Sequence, residues 1–536
     1  MNRFPPKLFC FAALVGALFF SCGEDGSPAC PPPLLEGEIA DPLYGDQWHL
    51  KNTGQGGGTA TEDVNVEPVW SNSEGATRGQ GVLIGLVDDG LEIGHEDLAA
   101  NVVPGMSHNY LNGSSNPSPS SSEDAHGTSC AGVAAARDEN ACGGKGVAPR
   151  AGLAGFNWLQ ASSDNRLVDA WTREVDISSN SWGIGGLRGR LSGPRESLLE
   201  DALNAGVTTG RGGKGRIYLK AAGNNHCPPG AESCPSLIMD NANYDAENTW
   251  KEVLMVGGVG DDGERAFYSE KGANLWVSAP TEGRAEHAIT TVDLMGSRGW
   301  NPDPEVSGNY EDLSYTNKFN GTSSATPLVA GVVALVLQVN PDLTWRDVKE
   351  ILAETARKND PGDLEWVENN AGYHFNPNYG FGVVNAQAAV TAASTWTPVT
   401  VPQITFTTGL KSVGVSIPDN NDPGGVSDTI SVSGSGITFI EWVEVTFSAS
   451  DHTYLGDLQV ELTSPDGTKS VLAEVHGCFT AGGIISSCGT SYSDWLFASA
   501  THLGEGADGD WTLEAIDGAL NDTGTFQSWQ IKFYGR

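Results

Sequence analysis

The chain has 536 residues, 67 of them acidic and 30 basic, for a formal charge of −37. A phosphate backbone would repel such a surface, which argues against a general nucleic-acid binder. The length exceeds one ordinary core, so two or more domains are expected, and 69 glycines favour short strands and tight loops over long helices.

Arg3 and Lys7 precede the apolar run LFCFAALVGALFF (Leu8 to Phe20), too short for a membrane-spanning helix. Ser21-Cys22-Gly23 and a polar, proline-rich stretch follow. This order resembles a bacterial lipoprotein signal over residues 1–22, with a lipid on Cys22 as the sole expected membrane contact. The expected location is the cell envelope, at the outer membrane or cell surface. Phe19 stands where that signal usually has leucine, so secretion after ordinary cleavage is the alternative. Export permits disulfides. Of the nine cysteines, Cys10 lies in the signal, and Cys227/Cys234 and Cys478/Cys488 are close pairs expected to bridge. The pairing of Cys30, Cys130 and Cys142 stays open.

After a proline-rich linker (23–40), β-rich runs alternate with helical ones over residues 41–394. GVLIGLVDDG reads as a buried strand ending in acids, and HGTSCAGVAAA opens a helix of small residues. NSWGIGGLRGR (180–190) is a glycine-rich basic patch in an acidic chain. RIYLKAAGN and VLMVGGVG are further buried strands, and SATPLVAGVVALVLQV is an apolar helix. Such alternation predicts an α/β domain with a mostly parallel sheet covered by helices on both faces. TWTPVTVPQ reads as a linker (395–404). Beyond it, VEVTFSA, DLQVELTS and WQIKFYG alternate apolar and polar residues, and SPDGT is a tight turn. Residues 405–536 are therefore expected to form a separate all-β sandwich.

Three stretches of the first domain fit one mechanism. Asp88 stands at the carboxyl end of a strand, where sites form in open α/β sheets. His126 starts a helix, and Ser323 opens another. Each alone is more often a turn, a cap or a loop. Together, in the order Asp, His, Ser, they match the orienter, base and nucleophile of acyl transfer. The N–H groups opening the Ser323 helix would stabilise an oxyanion, with Pro327 expected in the helix's first turn. Asn224, ending another strand, supplies an amide for the same oxyanion.

VDDGLEIGHEDL, HGTSCAG, SNSWG, KAAGN, YSEKGANLWVSAP and GTSSATP, in that order, resemble the blocks of subtilisin-like serine proteases of the kexin/furin branch. The segment from HTYLGDLQVELTSPDGT to the C-terminus resembles the P domain that follows the catalytic domain there. The resemblance implies a serine endopeptidase with triad Asp88, His126 and Ser323 and oxyanion donor Asn224. It implies substrate contacts at Asp89, Ser181, Trp182, Gly183 and Asp245, with Glu270 at a further matching position. It also implies a Ca²⁺ site with ligands Asp41, Asp97 and Asn140, oxygen donors drawn from distant segments as calcium accepts.

Two departures stand out. The kexin branch carries acids after SWG, where this chain reads Ile184-Gly185-Gly186-Leu187-Arg188, and Ser192 replaces a further acid. A desolvated arginine needs a fixed carboxylate, so a reduced or altered preference for paired basic residues is expected. About 18 residues separate Cys22 from Asp41, too few for an internal folding pro-domain. Maturation is thus expected either unaided or with a separate chaperone. The expected partners are protein or peptide substrates of a monomer. The alternative class is a catalytically silent surface adhesion protein, disfavoured because all four catalytic positions are intact. A serine esterase is disfavoured because the GxSxG elbow is missing.

Overall fold

The computed structural model describes residues 41–536 except 72–76, 185, 228–239, 284–286, 304, 306–307, 421–423 and 481–483. The signal and linker expected before Asp41 lie outside the described residues. Six short runs rich in Val, Ile, Leu, Ala and Gly form strands β1 (Leu83–Val87), β2 (Gly152–Phe156), β3 (Ile177–Asn180), β4 (Ile217–Ala221), β5 (Val253–Val259) and β6 (Val277–Pro280). They pair in parallel in the order β2-β1-β3-β4-β5-β6. Every residue of β4, β5 and β6 is buried, as a sheet covered on both faces requires. The chain leaves β1 for β2 on one side and returns to β3 on the other. This makes the carboxyl end of β1 the switch point at which such sheets open a crevice.

Helices α1 (His126–Ala135) and α4 (Thr322–Val339) pack against each other on one face. Helices α2 (Asp164–Thr172) and α3 (Ser197–Gly213) pack together and share a separate core with Tyr218, Val253 and Met255. Helix α4 is long and apolar enough to cross a membrane, yet 89% of it is buried inside the protein. Its apolar surface is spent on the sheet and on α1, so it is the central core helix of this domain. The sequence expectation for Pro327 needs correction, because Pro327 is the sixth residue of α4 and sits in the second turn. There it removes the N–H that would have bonded the Ser323 carbonyl four residues earlier.

The second domain is the expected sandwich. After a two-stranded ribbon of the first domain, β7 (Ile289–Val292) with β8 (Tyr315–Phe319), one sheet of the sandwich holds β9 (Ile404–Thr407), β10 (Lys411–Ile417), β12 (Ile440–Ser450), β15 (Tyr492–Ser499) and β17 (Gly524–Gly535). The other holds β11 (Val426–Val432), β13 (Leu458–Thr463), β14 (Lys469–Ala473) and β16 (Gly509–Asp517). Leu458, Val460 and Leu462 point inward, as do Val443, Val445, Phe447, Trp529, Ile531 and Phe533. SPDGT makes the β13–β14 turn, with Ser464 N–H on Thr468 O at 2.9 Å and Gly467 at φ +88°.

The two domains share their cores. Trp442, Ala498, Leu503 and Tyr534 join the large α/β core, and Tyr244, Ala246 and Ala273 join the sandwich core. Glu441 accepts from Arg346 Nε at 2.8 Å and from an Arg536 guanidinium N–H at 2.9 Å, and Arg536 also pairs with Glu350. The stretch between them, expected as a linker, is extended but tied down. Asp347 Oδ1 accepts from Trp396 Nε1 at 3.1 Å and from Val399 N–H at 2.8 Å.

Candidate active site

Strand β1 delivers Asp88, and its buried carboxylate sits 2.8 Å (Oδ1) from His126 Nδ1. His126 is the first residue of α1, whose unpaired N–H groups need an acceptor. Asp89 provides it, taking His126 N–H at 3.0 Å on Oδ2 and Gly127 N–H at 2.8 Å on Oδ1. Both carboxylates at the end of β1 are thus spent on one histidine, Asp88 on the ring and Asp89 on the backbone. A Cβ at Gly127 would lie 2.2 Å from Gly90 O, so only glycine lets the helix start this close to the strand end. Burial disfavours the imidazolium, but the Asp88 carboxylate and Cys130 outweigh it and raise His126 well above 6.5. Burial and the Asp88 charge push Asp89 up to about 7.

Ser323 is the second residue of α4. Its hydroxyl donates to Ser181 O at 3.1 Å, and Ser181 Oγ donates back to Ser323 O at 3.0 Å. That carbonyl is free because Pro327 offers no N–H. The buried free thiol of Cys130 lies 3.6 Å from the same carbonyl and 3.9 Å from Asp88 Oδ2. Asn224 Oδ1 accepts from Thr322 N–H at 2.8 Å and Thr322 Oγ1 at 2.9 Å. This fixes the amide so that its carbonyl faces the start of α4 and its NH₂ is left for the cleft.

Ser323 and Asn224 line a cleft of about 240 Å³ together with Gly183, Leu187, Asp240, Asp245 and Glu270. Ser181 and Trp182 continue beyond β3 along its edge, with Trp182 Nε1 on Val87 O at 2.8 Å. Asp245 is already partnered: its Oδ1 caps Glu247 N–H at 2.9 Å, and its Oδ2 lies 3.5 Å from the buried Lys220 ammonium. Glu270 accepts from Asn225 N–H at 3.0 Å, and burial with the Asp240 and Asp245 charges raises it well above the ordinary carboxyl value. Asp240 escaped the sequence reading. Burial raises it to about 7 although it accepts the backbone N–H groups of Gly189 and Arg188. Its only signal was a carboxylate five residues before Asp245, in a segment of no regular period. Gly186 is exposed and carries no acid into the cleft.

Away from the cleft, Asp41, Asp97 and Asn140 come together. Asn140 Nδ2 donates to Asp97 Oδ1 at 2.7 Å, and Glu139 N–H donates to Asp41 Oδ1 at 2.8 Å. Asp97 Oδ2 is buried without a hydrogen bond of normal geometry, and the Lys145 ammonium approaches Asp41 Oδ2 at 3.1 Å. Burial raises Asp97 well above its ordinary value, and the Asp41 charge adds to this. Two buried carboxylates, an amide and an orphaned oxygen fit a hard cation of calcium's kind, with Lys145 as the competing charge. Cys478 and Cys488 are bridged as expected. Cys142 and Cys227 are also disulfide-bonded, while Cys30 and Cys234 lie outside the described residues.

Residues 79–382 match the model of the Subtilase family. Residues 440–533 match that of the Proprotein convertase P-domain. An Aeromonas extracellular serine protease from Aeromonas sobria is 34% identical, over 89% of this chain and 84% of its own length. A PC3-like endoprotease from Hydra vulgaris is 32% identical over 90% of this chain, which spans only 64% of that relative. Crystal structures of the Aeromonas sobria serine protease, alone and in complex with the chaperone, superpose with a TM-score of 0.81 at 28% identity. They cover 95% of this chain and 100% and 99% of their own.

Proposed function

Because the chain belongs to the subtilase family and carries its P domain, we propose that it is a serine endopeptidase acting through Asp88, His126, Ser323 and Asn224. The observation that carries this reading is convergence. A buried carboxylate lies 2.8 Å from an imidazole at the switch point of a parallel sheet, a serine at a helix start lines a cleft with a fixed amide, and the Cys130 thiol lies 3.9 Å from that carboxylate and 3.6 Å from that serine's carbonyl. Ser323 Oγ leaves Ser181 O, rotates to His126 Nε2 and attacks the substrate carbonyl while the imidazole takes its proton. Asp88 holds Nδ1–H and stabilises the imidazolium. The oxyanion receives the Asn224 NH₂ and the N–H of Ser323, since the Thr322 N–H is held by Asn224 Oδ1. The imidazolium then protonates the leaving amine, and water repeats the sequence on the acyl-enzyme.

The substrate backbone would lie along Ser181–Gly183, beyond the last ladder pair of β3. A reduced or altered preference for paired basic residues is supported by Gly186 and by Lys220, which already engages Asp245. Asp41, Asp97 and Asn140 would hold Ca²⁺, which there would cross-link the segment at Asp41 to the loop after α1. Export to the cell envelope, with a lipid on Cys22, and a separate folding chaperone complete the proposal. The test compares wild type with Ser323→Ala on casein. Loss of hydrolysis only in the variant is expected, and equal hydrolysis would sink the reading. A peptide panel dominated by Arg-Arg or Lys-Arg substrates, by orders of magnitude in kcat/KM, would refute the specificity proposal.

A further inference from the structure

Resting on the protease reading above, we propose that the C-terminal sandwich determines substrate selectivity: His476, Phe479, Thr480 and Ser486, beside the Cys478–Cys488 disulfide, hold residues 187–191 as one wall of the cleft. The basic patch NSWGIGGLRGR is where the two domains meet. Arg188 donates to Thr480 O at 2.8 Å, and Arg190 donates to Phe479 O at 3.1 Å and to Ser486 Oγ. Phe479 N–H returns a bond to Arg188 O at 3.1 Å. The buried imidazole of His476 lies 2.8 Å (Nε2) from Gly189 O. Both arginines therefore serve as domain ties, which explains basic residues here in a chain of charge −37.

The loop needs this hold. Arg188 has φ +51° and its neighbours Gly186 and Gly189 have φ +83° and +87°. A non-glycine residue in the left-handed region costs about 1–2 kcal/mol and persists only where its surroundings impose it. What the loop carries is the cleft wall itself. Leu187 lines the cleft, and the Arg188 and Gly189 N–H groups fix the Asp240 carboxylate. The opposite end of the wall is held from the same domain. Asn243 exchanges bonds with Ala498 at 2.9 and 3.0 Å, and Trp495 Nε1 donates to Asn243 O at 3.1 Å. The Tyr244 ring lies 4.5 Å from the His476 ring, tilted by 35°. The segment bearing Asp240 and Asp245 is thus braced on both sides by the sandwich. Ser323, His126 and Asn224 make none of these contacts. Releasing the brace should loosen side-chain selection and leave the acyl-transfer chemistry intact.

The full-length Arg190→Ala variant tests this, with Cys478→Ser/Cys488→Ser as an independent second variant and Arg190→Lys as the conservative control. The substrates are chromogenic peptides differing in the side chain entering the cleft, and p-nitrophenyl acetate, which needs no such pocket. In both disrupted variants KM for the preferred peptide should rise about tenfold, the loss expected from one or two hydrogen bonds. Selectivity among peptides should narrow, kcat and ester hydrolysis should stay within about twofold, and Arg190→Lys should fall between. Unchanged KM and selectivity with a lower thermal midpoint, or peptide and ester rates falling together, would overturn the inference. Wild type inactive on every peptide and on the ester would overturn the protease reading, and this inference with it.

Discussion

Asn224 offers the sharpest test of the chemistry, because its two halves do different jobs. Its carbonyl takes both donors of Thr322, at 2.8 and 2.9 Å, which leaves its NH₂ as the donor assigned to the oxyanion. Asn224→Ala removes both functions at once. Loss of one oxyanion donor costs about 2.7–4 kcal/mol in the transition state, or about 10²–10³ in kcat. Loss of the two hydrogen bonds to Thr322 costs about 2 kcal/mol of stability, since each is worth about 1 kcal/mol net. Asn224→Asp separates the two. A carboxylate still accepts from Thr322, so the thermal midpoint should be kept, but a negative charge faces the oxyanion and kcat should fall at least as far. Initial rates on a chromogenic peptide, with a thermal melt of each variant, measure both quantities. A kcat for Asn224→Asp within threefold of wild type would refute the assignment of the NH₂ to the oxyanion, whatever the stability shows.

Three further outcomes follow from the charges. Net attraction to Asp88 raises His126, so the neutral base emerges only above pH 6.5. kcat/KM should rise with pH through that range, while the stability contributed by the His126–Asp88 pair is full below it and is lost as pH rises. Asp88→Asn should lower this limb and cut kcat by about 10⁴, and an unshifted limb would assign it to another group. Removing calcium with a chelator should lower the thermal midpoint of wild type, and Asp97→Asn should abolish that difference; equal melts of wild type with and without chelator would reject the metal site. At the domain interface, burial would raise Glu441, but Arg346, Gln403 and Arg536 outweigh it and hold it below its ordinary value. Its contribution is present above the unfolded carboxyl value and lost as pH falls through the folded one. Glu441→Gln leaves the half-buried Arg346 without its carboxylate and should cost about 1–3 kcal/mol at pH 7, a cost that shrinks in calorimetric melts as pH falls below the ordinary carboxyl range; a cost independent of pH would show that the charge is not responsible.

Much of this site was legible in the chain because its parts are local. A strand's apolar run, a glycine that lets a helix start close to a strand end, and the start of an apolar helix are written within about ten residues each. Asp88, His126, Ser323 and Asn224 could therefore be named as candidates without coordinates, and the inward faces of β12, β13 and β17 could be read from their period of two. Pro327 was misplaced by one turn, because α4 starts at Thr322, where the distant Asn224 takes the first N–H, and Pro327 is its sixth residue. Its actual position is what frees the Ser323 carbonyl for Ser181. Asp240 was invisible for the same reason, since nothing local says that a carboxylate in an irregular loop will meet the N–H groups of residues about fifty positions earlier. The pairing of Asp245 with Lys220 and the docking of Arg188, Gly189 and Arg190 on His476, Phe479, Thr480 and Ser486 also depend on how sheet and sandwich pack. By itself the sequence determined the two folds and named the candidate catalytic side chains, because short-range pattern suffices for both. The walls of the cleft were decided by the tertiary structure alone, because they are built from contacts between segments up to nearly three hundred residues apart.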